Sequence, residues 1–400
     1  MQYLSRLQEG RIGRILRRNK SALLLGARQT GKTTLLQRLE GALSISLIRP
    51  DVRQRYEKDP ALLAGEVEAL PRQRGAGRPL ILLDEVQKVP LLLDVIQDLI
   101  DRGLARFVLT GSSARKLRRG PGVNLLPGRV VALRLDPFTL GEMPSARLED
   151  HLLYGSLPGI VLTKEPKNRE VDLESYVTTY LEEEVRAEAI VRNLGSFARF
   201  LEYAASESGQ VVNFRTLSQE IGVSHTTIAS YYQILEDCLI AERVEPLTES
   251  KTRRKLTRAQ KYLFFDLGVR RLAAREGTRP SRETLGRLFE QFVGLELIRC
   301  SRLSDRKRRV RFWRDPAGPE VDWVIEEEGG WTPVEVRWTR SPTRKDVRHL
   351  KTFLSEYPAA AAGFLVCQVP RKVRLEERVV ALPWQELDDL ALGRRLPRSK

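Results

Sequence analysis

Gly26-Ala27-Arg28-Gln29-Thr30-Gly31-Lys32-Thr33 sets two glycines, a lysine and a hydroxyl in the spacing G-x-x-x-x-G-K-T, directly after the apolar run Ala22-Leu23-Leu24-Leu25. The chemistry that fits is phosphate binding. The glycines let the backbone curl until its N–H groups converge on a β-phosphate, Lys32 brings a mobile cation to the β/γ oxygens, and the Thr33 hydroxyl suits Mg²⁺. Gly26, Gln29, Thr30, Gly31, Lys32, Thr33 and Thr34 form the candidate nucleotide-binding set. A second apolar run, Leu80-Ile81-Leu82-Leu83, ends in Asp84-Glu85. Asp84 suits the water shell of a Mg²⁺ ion also held by Thr33, and Glu85 suits polarising an attacking water.

For these groups to meet, two parallel strands must end at the same edge of one sheet, each followed by a loop and a helix. The pattern predicts further strands at Leu43 to Ile48, Arg106 to Leu109 and Val130 to Leu135, with helices at Pro60 to Leu70 and Leu91 to Ile100. Thr110-Gly111-Ser112 closes the third of these strands. In P-loop ATPases with a catalytic glutamate, a polar tip on a strand inserted between the two motif strands senses the γ-phosphate; Ser112 suits that role or is an ordinary turn residue.

Four hundred residues, 42% hydrophobic, suffice for two or three domains with their own cores. The balance of 68 basic against 52 acidic residues gives +16, which favours a polyanionic partner, nucleic acid ahead of an acidic membrane. The excess clusters at Arg115 to Arg119, Lys251 to Lys255 and Arg306 to Arg309, although charge runs also serve as plain solvated loops. Three widely spaced cysteines without metal-ligand spacing argue against zinc or a disulfide framework and for a cytoplasmic protein. There is neither a signal-peptide core nor an apolar run of membrane-spanning length. His151, His225 and His349 are read as structural or surface residues.

Beyond Pro137 the chain turns helical, punctuated by Tyr154-Gly155-Ser156-Leu157-Pro158-Gly159. A helix is expected from Ser175 to Arg192, with Glu182, Glu183 and Glu184 as a solvated face, because helical neighbours point 100° apart and do not converge on one metal ion. Arg215 to Ile221, the turn Gly222-Val223-Ser224 with Ser224 as N-cap, and His225 to Asp237 read as a helix-turn-helix. The segments Leu239 to Val244 and Tyr262 to Phe265 then form a wing whose tip carries Lys251, Arg253, Arg254 and Lys255. The second helix exposes His225, Thr226, Ser230 and Gln233 but no lysine or arginine, so DNA contact is expected through phosphates at the wing tip, the alternative being a protein-docking unit.

From Leu285 a separate α/β unit is expected: a helix to Arg299, strands at Val310 to Trp313, Val321 to Ile325 and Thr332 to Trp338, a helix from Arg344 to Glu356, and a strand from Gly363 to Gln368. Asp322 on one strand and Glu335 on the next stand as the carboxylates of PD-(D/E)XK nucleases stand around a metal. Glu290 is the third candidate ligand, preferred over Glu296 because it lies within the stripe of Phe289, Phe292 and Val293. The lysine position holds Arg337, a poor proton acceptor, so a nuclease-like fold without cleavage stands beside a metal-dependent nuclease.

Together these strings resemble a group of bacterial and archaeal AAA-type ATPases. The resemblance rests on Asp84-Glu85-Val86-Gln87-Lys88-Val89-Pro90, Leu109-Thr110-Gly111-Ser112, Gly128-Arg129, Tyr180-Leu181-Glu182-Glu183-Glu184-Val185, and Glu320-Val321-Asp322 before Val334-Glu335-Val336. In that group an AAA+ core is fused to a winged helix and a C-terminal nuclease-like domain of unassigned function. The resemblance implies an α/β fold with a five-stranded parallel core carrying the phosphate loop on a central strand (1–136), a helical lid (137–205), a winged helix-turn-helix (206–280) and a restriction-endonuclease-like domain (281–400). It implies ATP and Mg²⁺ as cofactors, Pro158 as a nucleotide contact, and Arg129 either as a finger reaching a neighbouring subunit's γ-phosphate through self-association of the core or as an ordinary ion-pair residue. Three activities are in view: an ATPase acting on nucleic acid, a STAND-like nucleotide-gated switch for a protein partner, and an ATP-regulated nuclease.

Overall fold

The computed structural model describes residues 3–71, 77–112, 126, 128–144, 146–181, 194–248, 259–315 and 318–393. The chain divides into two compact units, Met1–Pro137 with Asp237–Ile240, and Phe138–Glu236 with Ala241–Lys400.

Strands β1 (Ser21–Leu25), β2 (Leu43–Ser46), β3 (Leu80–Asp84), β4 (Arg106–Gly111) and β5 (Val130–Arg134) of the first unit form an all-parallel sheet in the order β2-β3-β4-β1-β5. The loop-bearing β1 is interior but not central. That place belongs to β4, because only β5 lies outside β1. The apolar runs need cover on both faces. Leu23, Leu83, Phe107 and Leu109 pack on one face with Leu92, Ile96 and Leu99, which share one stripe of α5 (Leu92–Asp101). Ala22, Leu24, Leu82 and Val108, the alternate strand positions, pack on the other with Ile12 of α1 (Leu7–Arg17) and with Leu35 and Leu36 of α2 (Lys32–Leu36). The expected Pro60 helix runs Leu62–Glu68 (α4), and an unforeseen α3 (Pro50–Lys58) precedes it.

The second unit opens with α6 (Leu148–Tyr154), α7 (Pro158–Leu162) and α8 (Pro166–Ser175). The helix expected to start at Ser175 begins earlier, at Pro166, and continues past Ser175 as a π-helix over Tyr176–Leu181; the rest of its expected span, with Glu182 to Glu184, lies outside the described residues. Then come α9 (Leu194–Ser206), α10 (Phe214–Ile221) and α11 (His225–Asp237). Between α10 and α11, Gly222 turns the chain at φ 77° and the Ser224 hydroxyl accepts from Thr227 N at 3.1 Å. The antiparallel pair β6 (Ala241–Val244) and β7 (Lys261–Phe264) follows. After α12 (Leu267–Ala273) and α13 (Arg282–Leu303), strands β8 (Arg308–Arg314), β9 (Glu320–Glu327), β10 (Gly330–Val336), β11 (Gly363–Cys367), β12 (Val373–Glu376) and β13 (Val379–Pro383) build a sheet in the order β12-β13-β11-β10-β9-β8. Helix α14 (Arg348–Glu356) joins β10 to β11, and α15 (Leu387–Leu392) ends the unit.

Leu288, Phe289, Phe292 and Leu295 of α13 pack in one core with Leu148 and Leu152 of α6, Val244 and Leu263 of the hairpin, and Trp323, Ile325 and Val334 of the sheet. Within the second unit, residues of the segments 137–205, 206–280 and 281–400 thus share apolar surface. All five tryptophans, at 313, 323, 331, 338 and 384, belong to this unit.

Candidate functional site

The loop after β1 is shaped by its glycines. A Cβ on Gly26 would lie 2.4 Å from Leu135 O, and Gly31 holds φ 92°. Gln29 adopts φ 60°, a conformation costly for a non-glycine residue that functional loops tolerate. Thr30 Oγ1 donates to Ala27 O at 2.9 Å, and the Arg6 guanidinium pins the loop by donating to Thr30 O at 2.7 Å. Lys32, 5% exposed, donates from Nζ to Gly26 O and Ala27 O, each at 3.0 Å, so its charge sits at the centre of the loop.

The two motifs meet. Thr33 Oγ1 donates to Asp84 Oδ2 at 2.9 Å, and the other Asp84 oxygen accepts from Thr110 Oγ1. Glu85 stands at φ 59°, its N–H held by Thr110 Oγ1 at 2.9 Å and its carboxylate 3.7 Å from Lys32 Nζ. Ser112 Oγ donates to Glu85 Oε2 at 3.1 Å, and Gln87 Nε2 donates to Ser112 Oγ at 2.9 Å and to Glu85. Thr34 follows on the first turn of α2, in the same helix as Lys32 and Thr33. Thr110 and Gln87 were readable beside the motifs they serve; Arg6 sits in no pattern that marks it.

Arg129 lies apart from this cluster, its Nε and Nη2 forked onto Asp101 at 2.7 and 2.9 Å. Pro158 opens α7 in the second unit. The turn before it is held from within: Asp266 accepts from Ser156 N at 2.7 Å and caps α12 at Val269 N, while Arg299 donates to Ser156 Oγ at 2.8 Å and to Phe265 O at 2.7 Å. Burial pushes the Asp266 carboxyl up against these hydrogen bonds. Lys251, Arg253, Arg254 and Lys255 lie outside the described residues.

The carboxylates of the second unit are held by cations of the same chain. Arg337 donates from Nη2 to Glu335 Oε1 and places Nη1 3.5 Å from Asp322 Oδ2. Asp322 also accepts from Val336 N at 2.8 Å. Glu290 pairs with Lys261 of β7 at 3.0 Å, beneath which lie the rings of Phe312 and Trp323. Burial lowers the affinity of the Lys261 amine for its proton, but Glu290 and Asp322 more than offset this and raise its pKa. Burial and Glu290 lift Asp322 to about 7, and burial and Asp322 lift Glu335 well above the carboxylate range. Glu290, rather than Glu296, therefore shares the field of Asp322. Among the described residues, however, the ligand atoms of Glu290, Asp322 and Glu335 do not form a group within 4.8 Å of one another; only Glu296, Cys300 and Asp388 do. Lys261 was missed because strand pairing, invisible in local pattern, brings it to α13.

A five-stranded parallel sheet with a phosphate loop after β1 and an acidic pair after β3 defines a P-loop nucleotide-binding domain. Residues 18–144 match the AAA domain family, so the first unit carries an AAA-type ATPase domain. Residues 145–279 and 285–387 match two domains of unknown function, DUF8612 and DUF4143. Over 381 residues the chain is 26% identical to the uncharacterized proteins Rv2008c of Mycobacterium tuberculosis and Mb2031c of Mycobacterium bovis, covering 94% of this chain and 83% of each relative. Solved structures that it resembles include the Orc1 protein of Aeropyrum pernix in complex with DNA, at 16% identity and a TM-score of 0.28 over 71% of this chain and 93% of that one. Another is Cdc6p from Pyrobaculum aerophilum, at 16% identity and a TM-score of 0.27 over 70% and 92%. Among the described residues no helix is long and apolar enough to cross a membrane.

Proposed function

We propose that the chain is a Mg²⁺-dependent ATPase that works on or with nucleic acid. The observation that carries the ATPase reading is the hydrogen bond from Thr33 to Asp84, which joins the hydroxyl of the phosphate loop to the carboxylate of the second motif at 2.9 Å. Mg²⁺ held there would neutralise phosphate charge. Lys32 would neutralise the β/γ oxygens, Glu85 would take the proton of the attacking water, and Ser112 would meet the γ-phosphate while hydrogen-bonded to Glu85. Nucleic acid enters the reading through the +16 charge and the basic run Lys251 to Lys255 of the sequence. Arg129, Pro158 and self-association stay with the reading as proposals; Arg129 would first have to leave Asp101.

The test is nucleotide binding and turnover in two variants. Lys32→Ala removes charge that the bound ground state needs and is expected to abolish tight ATP binding. Glu85→Gln is expected to bind ATP normally and to turn over slower by on the order of 10²-fold, because it acts only on the water. Equal turnover by wild type and Glu85→Gln would remove Glu85 from the mechanism.

A nucleotide-gated switch is the second reading, favoured by the buried Ser156, Asp266 and Arg299 network that fixes the turn bearing Pro158. An ATP-regulated nuclease is the third, weakened by Arg337 on the carboxylates where a metal would bind.

A further inference from the structure

Arg337 opens onto a cleft of about 640 Å³ lined by Arg337, Arg344, Lys345, Asp346, Arg348 and His349. The cleft lies where the end of β10 faces the turn leading into α14. Its one carboxylate is already engaged: Asp346 accepts from Thr343 N at 2.7 Å and from the Thr343 hydroxyl at 2.8 Å, closing the turn it begins. Arg344, Lys345 and Arg348 are exposed at the mouth, and Arg344 Nε stands 3.8 Å from Glu376. Arg337 differs from these three. Glu335, Asp322 and the Val336 carbonyl, 2.8 Å from Nη1, fix its guanidinium, while 39% of its side chain stays exposed.

We infer that this cleft binds the phosphodiester backbone of a nucleic acid, with Arg337 as an anchored cation on its floor and Arg344, Lys345 and Arg348 as its mouth. The carboxylates that a nuclease would spend on a metal here orient a guanidinium, whose fork suits phosphate oxygens. Four cations spread over an open cleft match a polyanion better than a single phosphate group. The chain's net charge of +16 provides the long-range attraction. The inference rests on the nucleic-acid part of the proposed function and gives that part a described surface.

The test uses the full chain with labelled single-stranded and duplex oligonucleotides, followed by fluorescence anisotropy between about 50 and about 200 mM salt. In Arg344→Ala/Lys345→Ala/Arg348→Ala, three exposed sites whose loss leaves the core intact, affinity at low salt is expected to fall by about tenfold or more. The slope of log affinity against log salt should shrink by about two to three, since each lost phosphate contact removes ~0.7–0.9. ATP turnover should persist, and chelating divalent metal should not change the affinity. Wild-type and triple-variant binding with equal affinity and slope would end the cleft assignment while leaving the nucleic-acid reading standing. A wild type that binds no oligonucleotide at low salt would end both. Loss of polyglutamate binding with oligonucleotide binding intact would reassign the cleft to an acidic protein, and binding that requires Mn²⁺ and vanishes in Asp322→Ala would make it a metal site instead.

Discussion

Arg337 and Lys261 decide what the buried carboxylates of the second unit can do. A metal-bound water turns into a nucleophile more readily beside a group that can accept or position its proton, and a guanidinium keeps its protons throughout the physiological range. Lys261 is equally committed, held to Glu290 at 3.0 Å and over two aromatic rings. The wild-type chain is therefore expected to leave branched, single-stranded and duplex DNA uncut with Mg²⁺ or Mn²⁺, as judged by product formation on gels. Robust cleavage that disappears in Asp322→Ala would overturn this and move the nuclease reading to first place. Cleavage gained only in Arg337→Lys would mark a binding module built on a nuclease scaffold.

At the scale of elements, the turn between α6 and α7 is tightly constrained. Gly155 holds φ 70° and ψ −151°, and a Cβ there would lie 2.1 Å from the Asp266 carboxylate that also caps α12. Gly155→Ala is expected to destabilise the second unit by about 3 kcal/mol, measured by urea unfolding. A change in ATP affinity without loss of stability would instead assign the turn wholly to the nucleotide. The phosphate loop, the acidic pair and the helix-turn-helix elements were legible because each couples an apolar run to a residue with a single local purpose. Helix α3 was not, since Tyr56 is the only residue it buries and no periodic stripe marks it. Helix α8 buries only Leu173, so its start at Pro166 was equally silent. The strands after Gln368 escaped notice, and Lys261 joined Glu290 only through pairing across a long stretch of chain. Such contacts are set by tertiary packing, which local spacing does not encode.

For the molecule as a whole, the second unit carries several buried ionisable groups with opposing pH dependence. His151 packs against the rings of Phe292 and Trp384, and burial pushes its imidazole down to about 4. Its contribution to stability is present above the unfolded value near 6.5 and is lost as pH falls through about 4. Asp322 and Glu296, raised by burial to about 7 and about 8, act oppositely: what they contribute is present below their unfolded values and is lost as pH rises through those points. The difference in unfolding free energy between wild type and His151→Leu isolates the histidine, and it should shrink between pH 6.5 and 4. A difference that stays flat over that range would mean that His151 is protonated in place. Because every tryptophan of the chain lies in the second unit, tryptophan fluorescence excited where tyrosine does not absorb watches that unit alone. Melting of the ATPase unit would pass unseen by that signal, and a gap between the fluorescence and far-ultraviolet dichroism transitions would time the two units separately in one unlabelled sample.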